Sequence, residues 1–185
     1  MNTPFNFHLT QFSNEAEILR YEVREFLSDA LKDISKETRA ETWYGADEEF
    51  SKKVGKKGWI GLNWPKEYGG AGRSAMERYV ILEEMLTAGA PVGAHWISDR
   101  QSGPLIIRYG TEKHQKELLP GILKGESYFC IGMSEPDSGS DLAALRTKAE
   151  KKDNIYIVNG TKLWTSGAHR CQYMIACFRT SQEED

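Results

Sequence analysis

Over residues 13–35 the apolar positions fall at Ile18, Leu19, Val23, Phe26, Leu27, Ala30, Leu31 and Ile34, one face of a 3.6-residue period. The spacing predicts an amphipathic helix, opened by Asn14 with Glu17 as a capping box. Residues 47–57 predict a shorter helix, with Phe50 and Val54 on one side. Residues 58–72 read as a loop, because glycines and Pro65 interrupt any period. Ser74 and Glu77 form a second capping box. The helix behind them carries Met76, Tyr79, Val80, Leu82 and Leu86, and Gly89 and Pro91 end it. Residues 97–109 read as helical with Gly103 and Pro104 inside. Thr111 caps a short helix running to Leu119, where Pro120 is expected to terminate it.

The period changes near Tyr128. Phe129, Ile131 and Met133 alternate with smaller residues, the repeat of a strand. Residues 155–158 and 161–164 read as two more strands, joined by Asn159-Gly160 as a hairpin turn. Residues 173–178 form another apolar run, and the mixed charges of 148–153 read as a solvated strand end and turn. The fold class is therefore α+β: an all-helical N-terminal domain over 1–126, then the first strands of a sheet domain over 127–185. About four strands make a sheet of marginal stability unless it packs on something, so the sheet domain reads as unfinished.

Composition narrows the function classes. A net charge of −3 leaves no cationic excess to neutralise phosphates, so no nucleic-acid partner is expected. No apolar run is long enough to span a bilayer. Residues 1–11 lack the basic and apolar blocks of a secretory signal and the arginines of a transit peptide, so a cytoplasmic location is expected. Cys130, Cys171 and Cys177 form no C-x-x-C pair and read as small buried hydrophobes in a reducing compartment. The scattered His8, His95, His114 and His169 lack metal-ligand spacing, and no metal site is expected.

The chemistry-bearing stretch is residues 131–142, I-G-M-S-E-P-D-S-G-S-D-L. A strand ends at Ser134 and a turn follows. Ser134, Ser138 and Ser140 each offer one donor and two acceptor lone pairs, and Gly139 admits close approach of a ligand to the backbone. On composition alone a plain surface turn is the commoner outcome.

Three motifs, in order, change that balance. Residues 134–141, S-E-P-D-S-G-S-D, match T-E-P-x-x-G-S-D with Ser134 in the Thr position, its hydroxyl kept. Residues 159–166, N-G-T-K-L-W-T-S, match N-G-x-K-x-W-I-T up to Trp164, with Ser166 in the Thr position. Upstream, 109–126 match Y-G-T-E, then L-P-x-I-x-x-G-E. Essentially the whole chain resembles the acyl-CoA dehydrogenases.

That resemblance implies a β-barrel as the second domain and FAD as cofactor. It implies α,β-dehydrogenation of an acyl-CoA thioester, in which a carboxylate takes the α-proton and the β-hydride leaves for the flavin. It places the chain in fatty acid metabolism. Carried over by position, Ile131, Met133 and Ser134 would face the flavin, with Trp164 packed beside it, Thr165 adjoining and the Ser166 hydroxyl near N5. Ser140 would reach the CoA end of the substrate. Trp96, Arg100 and Gln101 are candidate pocket walls, unless Asp99 and Arg100 form a surface ion pair. The loop at Gly69-Gly70 would approach the acyl pocket. Glu135 does not match the family's base, and Asp141 is expected to cap the turn.

Two departures stand out: Asp137-Ser138 for the usual Gly-Ala, and Thr165 for Ile. The family's base lies on a C-terminal helical bundle beyond residue 185, so no catalytic residue is expected here and the chain alone should be inactive. The partners implied are an acyl-CoA substrate, an electron-transferring flavoprotein, and either further copies of the chain or a complementing subunit. An acyl-CoA oxidase or flavin monooxygenase of the same fold remains an alternative, as does a non-catalytic helical module that docks on a partner.

Overall fold

A computed structural model describes residues 11–181. The readings of residues 1–10 and of the acidic end lie outside the described residues. Among the described residues six α-helices precede the strands: α1 (Asn14–Ala30), α2 (Lys36–Ala40), α3 (Glu48–Lys56), α4 (Ala75–Thr87), α5 (Gly103–Tyr109) and α6 (Glu112–Leu123). The strands are β1 (Phe129–Gly132), β2 (Lys148–Lys152), β3 (Ile155–Asn159) and β4 (Tyr173–Ala176). The switch from helix to strand falls where the period changes.

The α1 stripe of Leu19, Val23, Leu27 and Ala30 is buried as the period requires. Its cap is Ser13, whose hydroxyl accepts from Ala16 N–H, rather than Asn14. The Ser74–Glu77 capping box forms on α4 as expected. Helix α1 packs on α4, and the contact is locked by charge. Glu84, buried at 7% exposure, accepts from Arg20 at 2.6 Å and from Arg24 Nε at 2.7 Å. The loop before α4 is no passive linker, since Trp59, Ile60, Leu62 and Trp64 belong to the core.

One expectation about a breaker fails for a local reason, and one helix forms with an irregularity. Helix α6 runs through Pro120 to Leu123. Proline removes the bond to the Lys116 carbonyl, but both residues are exposed, so water can take that carbonyl. Between residues 97 and 103 the helix widens into a π turn, Ser98–Ser102, before α5. Gly103 there lies against Trp64: a Cβ would sit 2.0 Å from the indole Cζ2.

The four strands form two pairs. Strands β1 and β4 are parallel, with Phe129 opposite Tyr173 and Gly132 opposite Ala176. Strands β2 and β3 form the antiparallel hairpin, Lys152 opposite Ile155, so its turn is Asp153-Asn154 and not Asn159-Gly160. Asp153 takes φ 53, which Asp tolerates. Gly160 is needed for a different reason: at φ 152 its backbone presses on Thr147, whose Oγ1 would lie 2.3 Å from a Cβ. Residues 161–164 are not a strand, whereas the charged run at 148–152 is. Ala149 N–H donates to Arg179 carbonyl at 3.0 Å, which ties the hairpin to the chain beyond β4.

Helices and strands are docked through the π turn. Ser98 Oγ donates to the Ser127 carbonyl and accepts from Phe129 N–H, each at 3.0 Å.

Candidate functional site

A cavity of about 460 Å³ lies between the helical part and β1, within the ~300–1,000 Å³ typical of small-molecule sites. Its strand-side wall is Ile131, Met133 and Ser134 from the first motif, with Leu163, Trp164 and Ser166 from the second. Period two explains the first set: Phe129, Ile131 and Met133 share one side of the strand path. The two motifs meet because Leu163 N–H donates to the Ser134 carbonyl at 2.8 Å.

Of the residues expected to bind cofactor or substrate, Ile131, Met133, Ser134, Trp164 and Ser166 are thus brought together at one cavity. Thr165, half-buried, and Ser140, exposed on the turn, are not among its lining. Trp96 lines it, while Arg100 and Gln101 are exposed and do not. The alternative of a surface Asp99–Arg100 pair does not form either. Asp99 is buried, accepts from Gly61 N–H and pairs with Arg78 of α4 at 2.7 Å. Arg100 instead stacks over the Trp96 ring, 4.6 Å from its centroid. Gly69 borders a separate groove beside α6.

Trp164 holds φ 58 and is 86% exposed. A bulky L-residue in the left-handed region costs about 1–2 kcal/mol, and such strain concentrates where function requires a particular presentation.

Glu135 is not a free carboxylate. It is 8% exposed and accepts from Arg146 N–H at 2.6 Å, Thr147 N–H at 3.0 Å and Lys162 Nζ at 2.8 Å. The Lys162 bond, with those of Thr147 and Arg146, holds its carboxyl down to about 2. Lys162 also donates to the Met133 carbonyl at 3.0 Å. Glu135 therefore fixes both motifs rather than moving a proton. The turn itself closes by Glu135 N–H to the Ser138 carbonyl at 2.7 Å and Ser138 Oγ to the Asp141 carbonyl at 2.5 Å. Asp141 shapes it through its backbone, with no side-chain cap.

The helical-side wall was not read from the sequence: Trp43, Tyr44, Glu48, Gly93 and Ile97. Its only local signal is the aromatic pair Trp43-Tyr44 between two helices. Trp43 lies 6.4 Å from Trp96, centroid to centroid. Arg170 and Cys171 close the lining. Burial, reinforced by neighbouring Cys130, pushes the Cys171 thiol up to about 11, so it stays protonated and is no nucleophile at neutral pH. Among the described residues no group of three or more His, Cys, Asp or Glu could hold a metal ion. No helix among them is long and apolar enough to cross a membrane.

The lining fits a flat, largely apolar ring system: aromatic and aliphatic walls, with the Ser134 and Ser166 hydroxyls as the polar contacts on the strand side.

Comparison with known proteins places these features. Residues 13–126 match the family model "Acyl-CoA dehydrogenase, N-terminal domain", and 130–185 match "Acyl-CoA dehydrogenase, middle domain". Acyl-CoA dehydrogenase FadE26 of Mycobacterium tuberculosis is 37% identical over 177 residues, 93% of this chain and 44% of that protein. Among solved structures, "Tcur3481-Tcur3483 steroid ACAD" aligns at TM-score 0.84 and 37% identity, over 95% of this chain and 46% of that one. The ChsE4-ChsE5 complex of Mycobacterium tuberculosis aligns at TM-score 0.83 and 37% identity, over 95% and 44%. A glutaryl-CoA dehydrogenase of Mycobacterium smegmatis in complex with FADH2 aligns at 0.69 and 28%, over 83% and 39%. The chain thus spans less than half the length of the proteins it matches.

Proposed function

The chain belongs to the acyl-CoA dehydrogenase family, and we propose that it supplies one wall of the FAD and acyl-CoA site of such an enzyme. The observation that carries this reading is the meeting of the two motifs at one cavity. Bound there, FAD would supply the acceptor for the hydride leaving the β-carbon.

The residues of this chain bind, orient and exclude water. Ile131, Met133 and Trp164 form the apolar bed, and the Ser134 and Ser166 hydroxyls offer hydrogen bonds to the ring edge. Thr165 would support Trp164 from behind, and Ser140, on the exposed turn, would meet the CoA moiety. The aromatic helical-side wall keeps the reacting carbons dry. The base for the α-proton is proposed to come from outside these 185 residues, and the chain alone to be inactive. The division into a helical domain over 1–126 and a partial middle domain over 127–185 follows the same reading.

A cavity walled by Trp43, Tyr44, Trp96 and Trp164 suits a broad, ring-bearing acyl group better than a thin aliphatic chain, in keeping with the similarity to the Tcur3481-Tcur3483 steroid ACAD. The site would be completed by further copies of the chain or by a complementing subunit, as in a relative solved as a two-protein complex. Electrons would pass to an electron-transferring flavoprotein.

The test is the visible absorbance of the chain isolated gently and then saturated with FAD. Retained flavin with quenched tryptophan emission is expected. Absence of any flavin binding, with or without added partner subunits, would overturn the reading.

A further inference from the structure

Arg170 is the cation in the lining of the cavity. It is half-buried, and its guanidinium lies over the Tyr44 ring, 5.0 Å from the centroid. A contact of that kind holds the guanidinium at the ring face and leaves its N–H donors free for a ligand. None of the ion pairs formed among the described residues involves Arg170. Glu48, the carboxylate in the same lining, stands on the first turn of α3, where the helix N-terminus accommodates its charge. A planar, oriented fork of donors beside aromatic walls is matched by a carboxylate, which can accept two parallel bonds from it.

We propose that Arg170 selects acyl groups whose far end carries a carboxylate, so that the substrate is the mono-CoA thioester of a dicarboxylic acid. The proposal rests on the reading of the cavity as an acyl-CoA site. It makes Arg170 a specificity-determining residue, with Tyr44 positioning it. The preference is read between thioesters that share CoA, so it is set by the tail.

The test is titration of the FAD-loaded chain, with its partner subunits added, against hexanoyl-CoA and adipoyl-CoA, which have equal carbon counts and differ in the terminal carboxylate. Quenching of tryptophan emission reports binding, since Trp43, Trp96 and Trp164 line the cavity. Adipoyl-CoA is expected to bind about tenfold more tightly. Arg170→Met is expected to bring the affinity for adipoyl-CoA down to that for hexanoyl-CoA, and Arg170→Lys to retain part of the preference. Circular dichroism checks that each variant is folded, and the comparison on the unsubstituted chain decides even if Arg170→Met is not. Equal affinity for the two thioesters in the unsubstituted chain overturns the proposal while the acyl-CoA reading stands. Equal loss of both in Arg170→Met also overturns it, and assigns the guanidinium to phosphates of CoA. Binding of neither overturns the acyl-CoA reading together with the proposal.

Discussion

Glu135 Oε1 lies 2.8 Å from Lys162 Nζ, 27 positions along the chain, and both side chains are almost wholly buried, at 6% and 8% exposure. The pair joins the two motifs that wall the cavity. Lys162 reaches Met133 as well, so the ammonium bridges the end of the first motif's strand to the second motif. Glu135→Gln keeps the shape and removes the charge. The expected result is a lower melting temperature and weakened FAD binding together, read by thermal melts and flavin titration. A variant that lost neither would show that the pair is ornamental.

The pH dependence of that pair has a definite sign. The Glu135 carboxyl sits near 2 in the folded chain, below its ordinary 4.5. Its contribution is therefore fully present above about 4.5 and is lost as pH falls through the interval toward 2. Acid denaturation followed by circular dichroism should begin at higher pH in Glu135→Gln than in the unsubstituted chain.

His95 titrates in a different window. Burial pushes it down to about 4 from 6.5, against the opposing pull of Asp99. Ser51 Oγ gives its hydrogen to the Asp47 carbonyl, so His95 Nδ1, 2.8 Å away, carries the proton and donates. A neutral buried histidine contributes stability above 6.5 that is lost as pH falls from 6.5 toward about 4, because the unfolded chain binds the proton first. The gap corresponds to about 3 kcal/mol. Urea melts between pH 7 and 4 should show the slope, and His95→Gln should flatten it.

Glu84→Ala removes the acceptor shared by Arg20 and Arg24 at the α1–α4 contact. Arg20 keeps Glu83 and Glu17, so the loss is partial. A destabilisation of about 1.5–3 kcal/mol is expected in urea unfolding. The cavity lies elsewhere, and flavin affinity should not change.

Trp164 and Gly103 make opposite predictions. Trp164→Asn replaces a strained, 86% exposed aromatic by a residue that tolerates positive φ. Stability should hold or rise by about 1 kcal/mol, while flavin binding falls. Gly103→Ala drives a methyl into the Trp64 ring and should cost about 1–3 kcal/mol. Differential scanning calorimetry beside flavin titration separates the two cases.

Much of this protein is set by local sequence. The apolar stripe of α1, the Ser74–Glu77 box, the Thr111 cap and the change of period near Tyr128 depend on neighbours within a few positions, and each forms as its chemistry requires. The strand-side wall was legible through the two motifs and the family they resemble; alternation adds only that Ile131 and Met133 share one side of the strand path. What tertiary structure decided is every relationship across distance. The hairpin turned at Asp153-Asn154 because β2 and β3 pair with each other and Gly160 is consumed in packing on Thr147. Asp99 found Arg78 rather than its neighbour Arg100, because burial demands a partner and the helix turns Arg100 outward onto Trp96. The helical-side wall, Trp43 and Tyr44 facing Arg170, joins segments more than 100 positions apart. No period or cap encodes such a meeting, since only the packing of the helices against β1 brings those side chains to one cavity.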